Sequence, residues 1–468
     1  MKRALPLLLL RVLLSGAGIA PRAEGPSPAR AVVERKSPFE SPLGRAFHAG
    51  RRAALAKAVG EGGIVLQGAE DTRNYLEFRQ SNDFWYLTGV ETPGAALAIE
   101  AKEGHATLFL PPANPLREQW EGPDLSPGKE AAAVTGIADV REIGEFALFL
   151  EGWTEKGAIY TPFAPEEIHA TSRDRAWGFE RRREEDPLDG RGSREKAFRD
   201  ALAKRLGPGA EVKNLSPLLD ELRRVKTSEE IQAMREASRI GCEGHKAAIQ
   251  ACRPGLFEWE IAAVARAAFD RLGSSGPAYM AIVGTGPNSL ALHYSRKQRR
   301  IADGDVVLMD FGPEVFYYAT DITRTWPANG KFTKRQREVY DACLRAQEET
   351  LKAVKPGATL ADLGRVAGKA LADAGFGAYL RHGPSHYIGL AVHDVGSERK
   401  PFEPGVCVTV EPGIYIPAED LGVRIEDTVV VTPEGCENLS TLCPRDADAI
   451  EALLAGRKPA AGGRRSGG

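Results

Sequence analysis

Residues 304–327 read GDVVLMDFGPEVFYYATDITRTWP, and two acids in this stretch decide how the rest of the chain is read. Val306 to Met309 is an apolar, β-branched run of the kind that forms a buried strand. Asp310 ends it where another hydrophobe is expected. Gly312-Pro313-Glu314 should turn the chain, and Val315 to Arg324 should return as a second strand. Two strands joined by a tight loop would set Asp310 and Asp321 side by side across the ladder. Bare carboxylates that close repel, so either one takes up a proton or cations hold both. Taken alone, the pair reads as readily as a turn-bonding residue and a surface or capping residue.

Three later segments shift that balance. HGPSHYIGLAVHD (382–394) supplies His382, His386 and His393 among Gly383, Pro384 and Gly389. VCVTVEPGIYI (406–416) ends an apolar strand at Glu411, followed at once by Pro412-Gly413. LGVRIEDTVVVT (421–432) embeds Glu426 in a β-branched run, with Arg424 two positions earlier on the same expected face. A buried charge without a partner costs several kcal/mol, so acids at four core positions beside an imidazole imply neutralising charge. Two divalent cations would cancel the four carboxylates. One imidazole and four carboxylates favour manganese or another borderline-hard ion over a thiolate-type zinc site. Two such ions about 3.5–4 Å apart polarise a carbonyl and activate water, which is the chemistry of amide or ester hydrolysis.

At 468 residues the chain is too long for one ordinary core. Hydrophobic residues at 43% and charged residues at 27% exclude wholesale disorder and a polytopic membrane protein. Lys plus Arg number 62 against 64 Asp plus Glu, so no basic face argues for nucleic-acid binding. The six cysteines form no C-x-x-C pair, which removes a zinc ribbon or disulfide framework. Gly44 to Val59 alternates basic and apolar residues at helical spacing. The short runs GIVLQG, DFWYLTG, AALAIE and ATLFLP then read as strands of an α/β unit. Arg173 to Lys196 mixes both charge signs densely and reads as a solvated surface insertion or exposed helix. Thr227 and Glu230 form a capping box opening a helix with Ile231, Met234, Ala237 and Ser238 along one stripe, and a second helix should span Trp259 to Leu272.

The ends read differently. Residues 1–24 carry Lys2 and Arg3, then a mostly apolar Ala4 to Leu14 and small residues, the layout of a secretory signal. Export to a periplasm or the exterior is the expectation, and a cytoplasmic location if the leader is not a true signal. Its apolar run is too short for stable membrane insertion. Residues 458–468 form a flexible tail.

The motif blocks closely resemble the pita-bread metallo-aminopeptidases, a group holding methionine aminopeptidase, Xaa-Pro aminopeptidase (aminopeptidase P), prolidase and the metal-free creatinase. The resemblance implies an α/β (α+β) protein, with an N-terminal creatinase/aminopeptidase P-like domain over 38–215 and a pita-bread catalytic domain over 216–457. It implies that Asp310 is a terminal metal ligand and Asp321 a bridging one. His386 and Glu411 would serve the other metal, and Glu426 would bridge both. Glu411 would also shuttle the proton of a hydroxide bridging the ions. By the same resemblance His293 (in ALHYS) and His393 (in AVHDVG) bind the substrate carbonyl and the intermediate, His382 belongs to the S1′ region, and Arg424 supports the site near Glu426. The large N-terminal part argues against methionine aminopeptidase, and LEFRQSNDFWYLTGVETPGAALAIE (76–100) looks most like aminopeptidase P. The implied protein is a homo-oligomer, dimer or tetramer, that cleaves the N-terminal Xaa-Pro bond of peptides with proline at the second position. Its cofactors would be two divalent ions, manganese first, then zinc or cobalt. Trp85 is either an oligomer contact or a core aromatic. Xaa-Pro dipeptidase (prolidase) shares the plan and is the alternative. A metal-free creatinase-like hydrolase or a non-enzymatic peptide-binding relative would be expected to have lost ligands.

Overall fold

Helix Gly44–Val59 forms over the span that its spacing predicts, burying Phe47, Arg52, Leu55 and Ala56 along one face. The computed structural model describes residues 37–71, 75–167 and 172–456. The expected leader and the expected tail therefore lie outside the described residues. Among the described residues no helix is long and apolar enough to cross a membrane.

A six-stranded mixed sheet follows the first helix, in the order Asp139–Glu142, His105–Leu110, Ala96–Glu100, Gly63–Gln67, Ile159–Thr161, Val212–Asn214. Side chains alternate across it, as the pleat requires. Val65, Ala96, Ala98 and Phe109 pack with Leu150, Trp153, Leu202 and Leu206 on one face. Ile64, Leu66, Leu97 and Leu108 on the other face share a core with Tyr317, Tyr318, Ile388 and Leu390. The N-terminal sheet is thus packed directly against segments that carry the candidate site.

Residues 83–89 correct one expectation. DFWYLTG is not a strand; Asn82–Thr88 is a helix, with every residue but Asp83 buried. Its four consecutive apolar residues, Phe84 to Leu87, show no helical period, and short runs of this kind cannot be assigned from pattern alone. Gly89, left-handed at φ 70°, ends it, its N–H bonding Trp85 O. Trp85 is 1% exposed and stacks on Tyr317 with centroids 4.3 Å apart, so its place in this chain is the core.

Helix Ser228–Ala251 starts at the expected capping box, with Glu230 N donating to Thr227 Oγ1 and Thr227 N to Glu230 Oε2. It packs beside Glu258–Arg271, and Lys334–Ala353 packs beside Leu360–Asp373. The strands of this half form small antiparallel sheets: Ile282–Thr285, Val306–Asp310 and Thr323–Pro327 in one; Cys407–Val410, Asp427–Val431 and Cys436–Asn438 in another; Gly413–Ile416 with Leu421–Arg424 in a third.

Two details differ from the expected strands. The turn does not fall at Gly312–Glu314. Pro313–Val315 and Tyr318–Ala319 form their own hairpin around Phe316 and Tyr317, both left-handed at φ 52° and 73°. A left-handed non-glycine residue costs roughly 1–2 kcal/mol, which the Tyr317 stack on Trp85 and the Arg79 guanidinium 4.3 Å over the Tyr317 ring offset. Consequently Asp310 pairs across the ladder with Thr323, not with Asp321. Glu426 likewise is not inside one long strand. The chain leaves one sheet at Arg424 and enters another at Asp427, and Glu426 sits in the break, bridged to Thr323.

Candidate metal centre

Each candidate ligand sits where a strand ends, which is where a side chain can leave the ladder and meet others. Asp310 closes Val306–Asp310, Asp321 precedes Thr323–Pro327, Glu411 follows Cys407–Val410, and Glu426 fills the break just described. His386 is held by backbone bonds to the Cys407–Val410 strand: its N–H donates to Thr409 Oγ1, and Thr409 N donates to its carbonyl.

Single donor atoms of Asp321, His386 and Glu426 lie within 4.8 Å of one another. His386 Nε2 is 3.4 Å from Glu411 Oε1, 3.6 Å from Asp321 Oδ2 and 4.0 Å from Glu426 Oε1. Asp310 joins through Tyr279, whose hydroxyl lies 2.7 Å from Asp310 Oδ1 and 2.5 Å from Asp321 Oδ1. Having one proton, that hydroxyl donates to one carboxylate at a time. All five residues expected to bind metal are therefore in one cluster.

The other expected residues surround it. Arg424 Nη2 donates to Asp310 Oδ2 at 2.5 Å, Nη1 to the Tyr415 hydroxyl at 2.8 Å, and Nε to Thr323 Oγ1 at 3.2 Å. The Thr323 hydroxyl in turn donates to Glu426 Oε2 at 2.7 Å. Arg424 thus makes its ion pair with Asp310 and reaches Glu426 only through Thr323. His382 Nδ1 lies 3.7 Å from Glu411 Oε2, and its Nε2 is 2.8 Å from the Tyr415 hydroxyl. His393 stacks on His386 with ring centroids 4.0 Å apart. His293 is exposed.

Electrostatics follow from this crowding. Burial first, then neighbouring acids, push Asp310 above its ordinary carboxyl value, and push Glu426 well above it. Burial likewise holds Glu411 well above its ordinary value, against the pull of Arg424. Burial lowers His382 to about 4, while the adjacent His386, then burial, lower His393 to about 3. Glu426 Oε1 is buried with no hydrogen-bond partner among the described residues. His386 gives its Nδ1–H to Tyr387 O at 3.0 Å, which leaves a lone pair on Nε2. An orphaned carboxylate oxygen, an imidazole lone pair and acids of raised proton affinity that a cation would hold ionised are what a divalent ion's donor set requires, so the residues fit one.

Several contributors were not read from the sequence. Tyr279, in PAYM, carries no local signal for a carboxylate bridge. Buried Glu258 holds the loop before His293, accepting from Thr285 N, Asn288 Nδ2 and Arg299 N. Arg79 pairs with Glu314 at 3.2 Å and donates to Leu390 O, tying together the loops that carry Asp321 and His386. The charged segment expected to be a solvated insertion is exposed for most of helix Arg173–Glu185, but its first turn packs at the site. Arg173 N lies 3.4 Å from His393 O, and Arg175 Nη2 lies 2.8 Å from His293 Nδ1. Charge density marked this stretch as polar without marking which surface it would meet.

With this geometry in view, the chain compares closely with known proteins. Residues 232–433 match the model of metallopeptidase family M24, and residues 48–160 match that of the aminopeptidase P N-terminal domain. The Xaa-Pro aminopeptidase of Haemophilus influenzae is 34% identical over 411 residues, covering 81% of this chain and 88% of that protein. This chain belongs to metallopeptidase family M24. It is a metallo-exopeptidase of the Xaa-Pro aminopeptidase type, with an aminopeptidase P N-terminal domain ahead of a pita-bread domain. The human Xaa-Pro dipeptidase is also similar, 32% identical over 467 residues and covering 84% of this chain and 88% of its own length. The solved aminopeptidase P from Escherichia coli with the inhibitor Pro-Leu superposes with a TM-score of 0.74 at 30% identity, covering 88% of this chain and 98% of that one.

Proposed function

We propose that this M24 enzyme removes the N-terminal residue from peptides with proline at the second position, using two divalent ions held by Asp310, Asp321, His386, Glu411 and Glu426. The observation that carries the proposal is the convergence of Asp321, His386 and the unpartnered Glu426 oxygen within 4.8 Å. Bound there, the ions would polarise the scissile carbonyl and acidify a water molecule. Manganese suits the oxygen-rich donor set.

The chain's own residues do the rest. Glu411, once ionised, can take a proton from water and pass it to the leaving nitrogen. Arg424 stays charged and fixes Asp310, so the carboxylate cannot swing away as substrate enters. His293, exposed at the edge of the site, presents a neutral ring to the substrate carbonyl, because partial desolvation of the ring and then the neighbouring Arg175 lower its proton affinity. His393, with its own value depressed to about 3, stays neutral and is available as a donor to the oxygen on which negative charge develops.

A peptide panel tests this. Xaa-Pro, Xaa-Pro-Yaa and Met-Ala-Yaa are supplied with added manganese or zinc, and rapid release of Xaa from the tripeptide is expected. Cleavage confined to the dipeptide would move the assignment to the Xaa-Pro dipeptidase activity named for the human relative. Cleavage that survives a chelator would end the metal-dependent reading.

A further inference from the structure

The site histidines are wired in two opposite ways. His382 and His386 lie 2.9 and 3.0 Å from the carbonyls of Gly383 and Tyr387 through Nδ1, so each carries its proton on Nδ1 and keeps a lone pair on Nε2. That is the form a metal ligand needs, and in His382 the Nε2 lone pair accepts from the Tyr415 hydroxyl. His293 has a guanidinium at the same ring position. Arg175 Nη2 is 2.8 Å from its Nδ1, and arginine only donates. Nδ1 must therefore be the acceptor, and the ring proton must sit on Nε2. Among the described residues Arg175 is the hydrogen-bond partner of this ring.

Arg175 is itself held at both ends of its helical turn. Ser172 Oγ caps the helix by accepting from Arg175 N at 3.2 Å. Its neighbour Arg173 is locked by Glu167 at 2.6 Å and Asp220 at 3.1 Å, and its N–H points at His393 O. Glu167 also pairs with Arg223 at 3.0 Å, and Arg223 pairs with Asp394, the residue after His393, at 2.6 Å. One turn of an N-terminal helix is thus fastened to the loop of one substrate-facing histidine while its side chain reaches the other.

We propose that Arg175 is a positioning residue for His293, fixing the tautomer in which Nε2–H is the donor available to a substrate carbonyl oxygen. The proposal rests on the reading of His293 as a substrate contact. It gives the charged helix a part in the reaction, and it explains why two of the site histidines bond a carbonyl through Nδ1 and this one a cation. The groups that face His293 are Arg175 from the helix, Arg424 and Asp310 from the sheets, and His386 from the neighbouring loop. Desolvation first, then Arg175, Arg424 and His386, lower its proton affinity and Asp310 raises it, so loss of Arg175 lets the ring protonate at higher pH.

The test compares Arg175→Met, Arg175→Gln, His293→Phe and the Arg175→Met/His293→Phe double variant of the full chain, with kcat and KM for an Xaa-Pro-Yaa peptide measured across about pH 5.5–8.5. Arg175→Met should lower kcat about tenfold with little change in KM or metal content. That is less than the roughly 10²–10³-fold expected for removing a donor to a developing oxyanion outright. The acid limb of the profile should move to higher pH. Arg175→Gln, a neutral donor of similar reach, should recover most of the loss, and Arg175→Met should add nothing in the His293→Phe background. In the metal-free protein, the imidazole nitrogen shifts of isotope-labelled histidine should place the His293 proton on Nε2, and Arg175→Met should move it. Parental kcat and pH profile in Arg175→Met, equal losses in Met and Gln, or a loss that persists in His293→Phe would each overturn the proposal. Full activity in His293→Phe with an unaltered tautomer signal in the parent would instead overturn the reading of His293 beneath it.

Discussion

Asp310 and Asp321 form one pair of acids in the candidate metal centre, Glu411 and Glu426 another, and the protein treats the two pairs differently. The aspartates share the Tyr279 hydroxyl, and Asp310 has a guanidinium 2.5 Å away. Glu426 receives one threonine hydroxyl on one oxygen and nothing on the other. Glu411 has two histidine rings at 3.4 and 3.7 Å, both of depressed proton affinity. The contrast shows that the fold neutralises the aspartates more directly than the glutamates, which supports the proposal that a cation is held there. An acid cluster compensated throughout by arginines would be a stable salt-bridge network with nothing left to bind.

The largest effect should come from the uncompensated side. Glu426→Gln should lower turnover by about 10³-fold or more and release metal, read by elemental analysis, while far-ultraviolet circular dichroism stays unchanged. An active variant with full metal content would break the comparison. The aspartate side can be disturbed from outside, through the hairpin that joins Asp310 to Asp321. Trp85→Ala removes the stack under Tyr317 and should cost about 3–5 kcal/mol in denaturant unfolding, with weaker metal binding. Unchanged metal affinity in a destabilised variant would show that the hairpin's clamp does not reach the aspartates.

A smaller change sharpens the same contrast. Tyr279→Phe takes away the bridge between the aspartates and should weaken metal binding about 10–100-fold, as measured by calorimetry. No change would mean that the hydroxyl serves only the metal-free state. The subtlest effect is on pH. Glu411 and Glu426 have raised values in the folded metal-free protein, so the folded form holds more protons than the unfolded one, and stability falls as pH rises through that window. Buried His48 and His245, lowered to about 4 and 3, act oppositely, and stability falls as pH drops below their ordinary value. Above the ordinary histidine range the carboxylates should dominate, so the chelated protein should lose Tm as pH rises while Glu411→Gln loses less. Calorimetry in buffers of different ionisation enthalpy should show protons released on metal binding. A flat Tm and no proton release would remove the assigned asymmetry.

Local signals carried much of the fold. The helix at Gly44–Val59 and the capping box at Thr227 and Glu230 depend on residues within four positions of each other, and both appear where expected. Acids ending apolar runs marked Asp310 and Glu411, because a strand's last residue is where a polar side chain can turn out of the core. Other features had no local mark. The Asn82–Thr88 helix carries a continuous apolar run with no helical period, and the left-handed Phe316–Tyr317 turn contradicts local preference. It persists because Trp85 and Arg79, more than 200 positions upstream, hold Tyr317 in place.

The amino-acid order alone determined which chemical groups are present, how strands and helices begin and end, and that the acids outnumber the cations nearby. Tertiary packing alone decided the pairings: Arg424 with Asp310 across 114 positions, Arg175 with His293 across 118, and Glu426 with no partner for one oxygen. The reason is range. Propensity and periodicity act over a few residues, whereas the neutralisation of a buried charge depends on whatever the fold brings within a few ångströms.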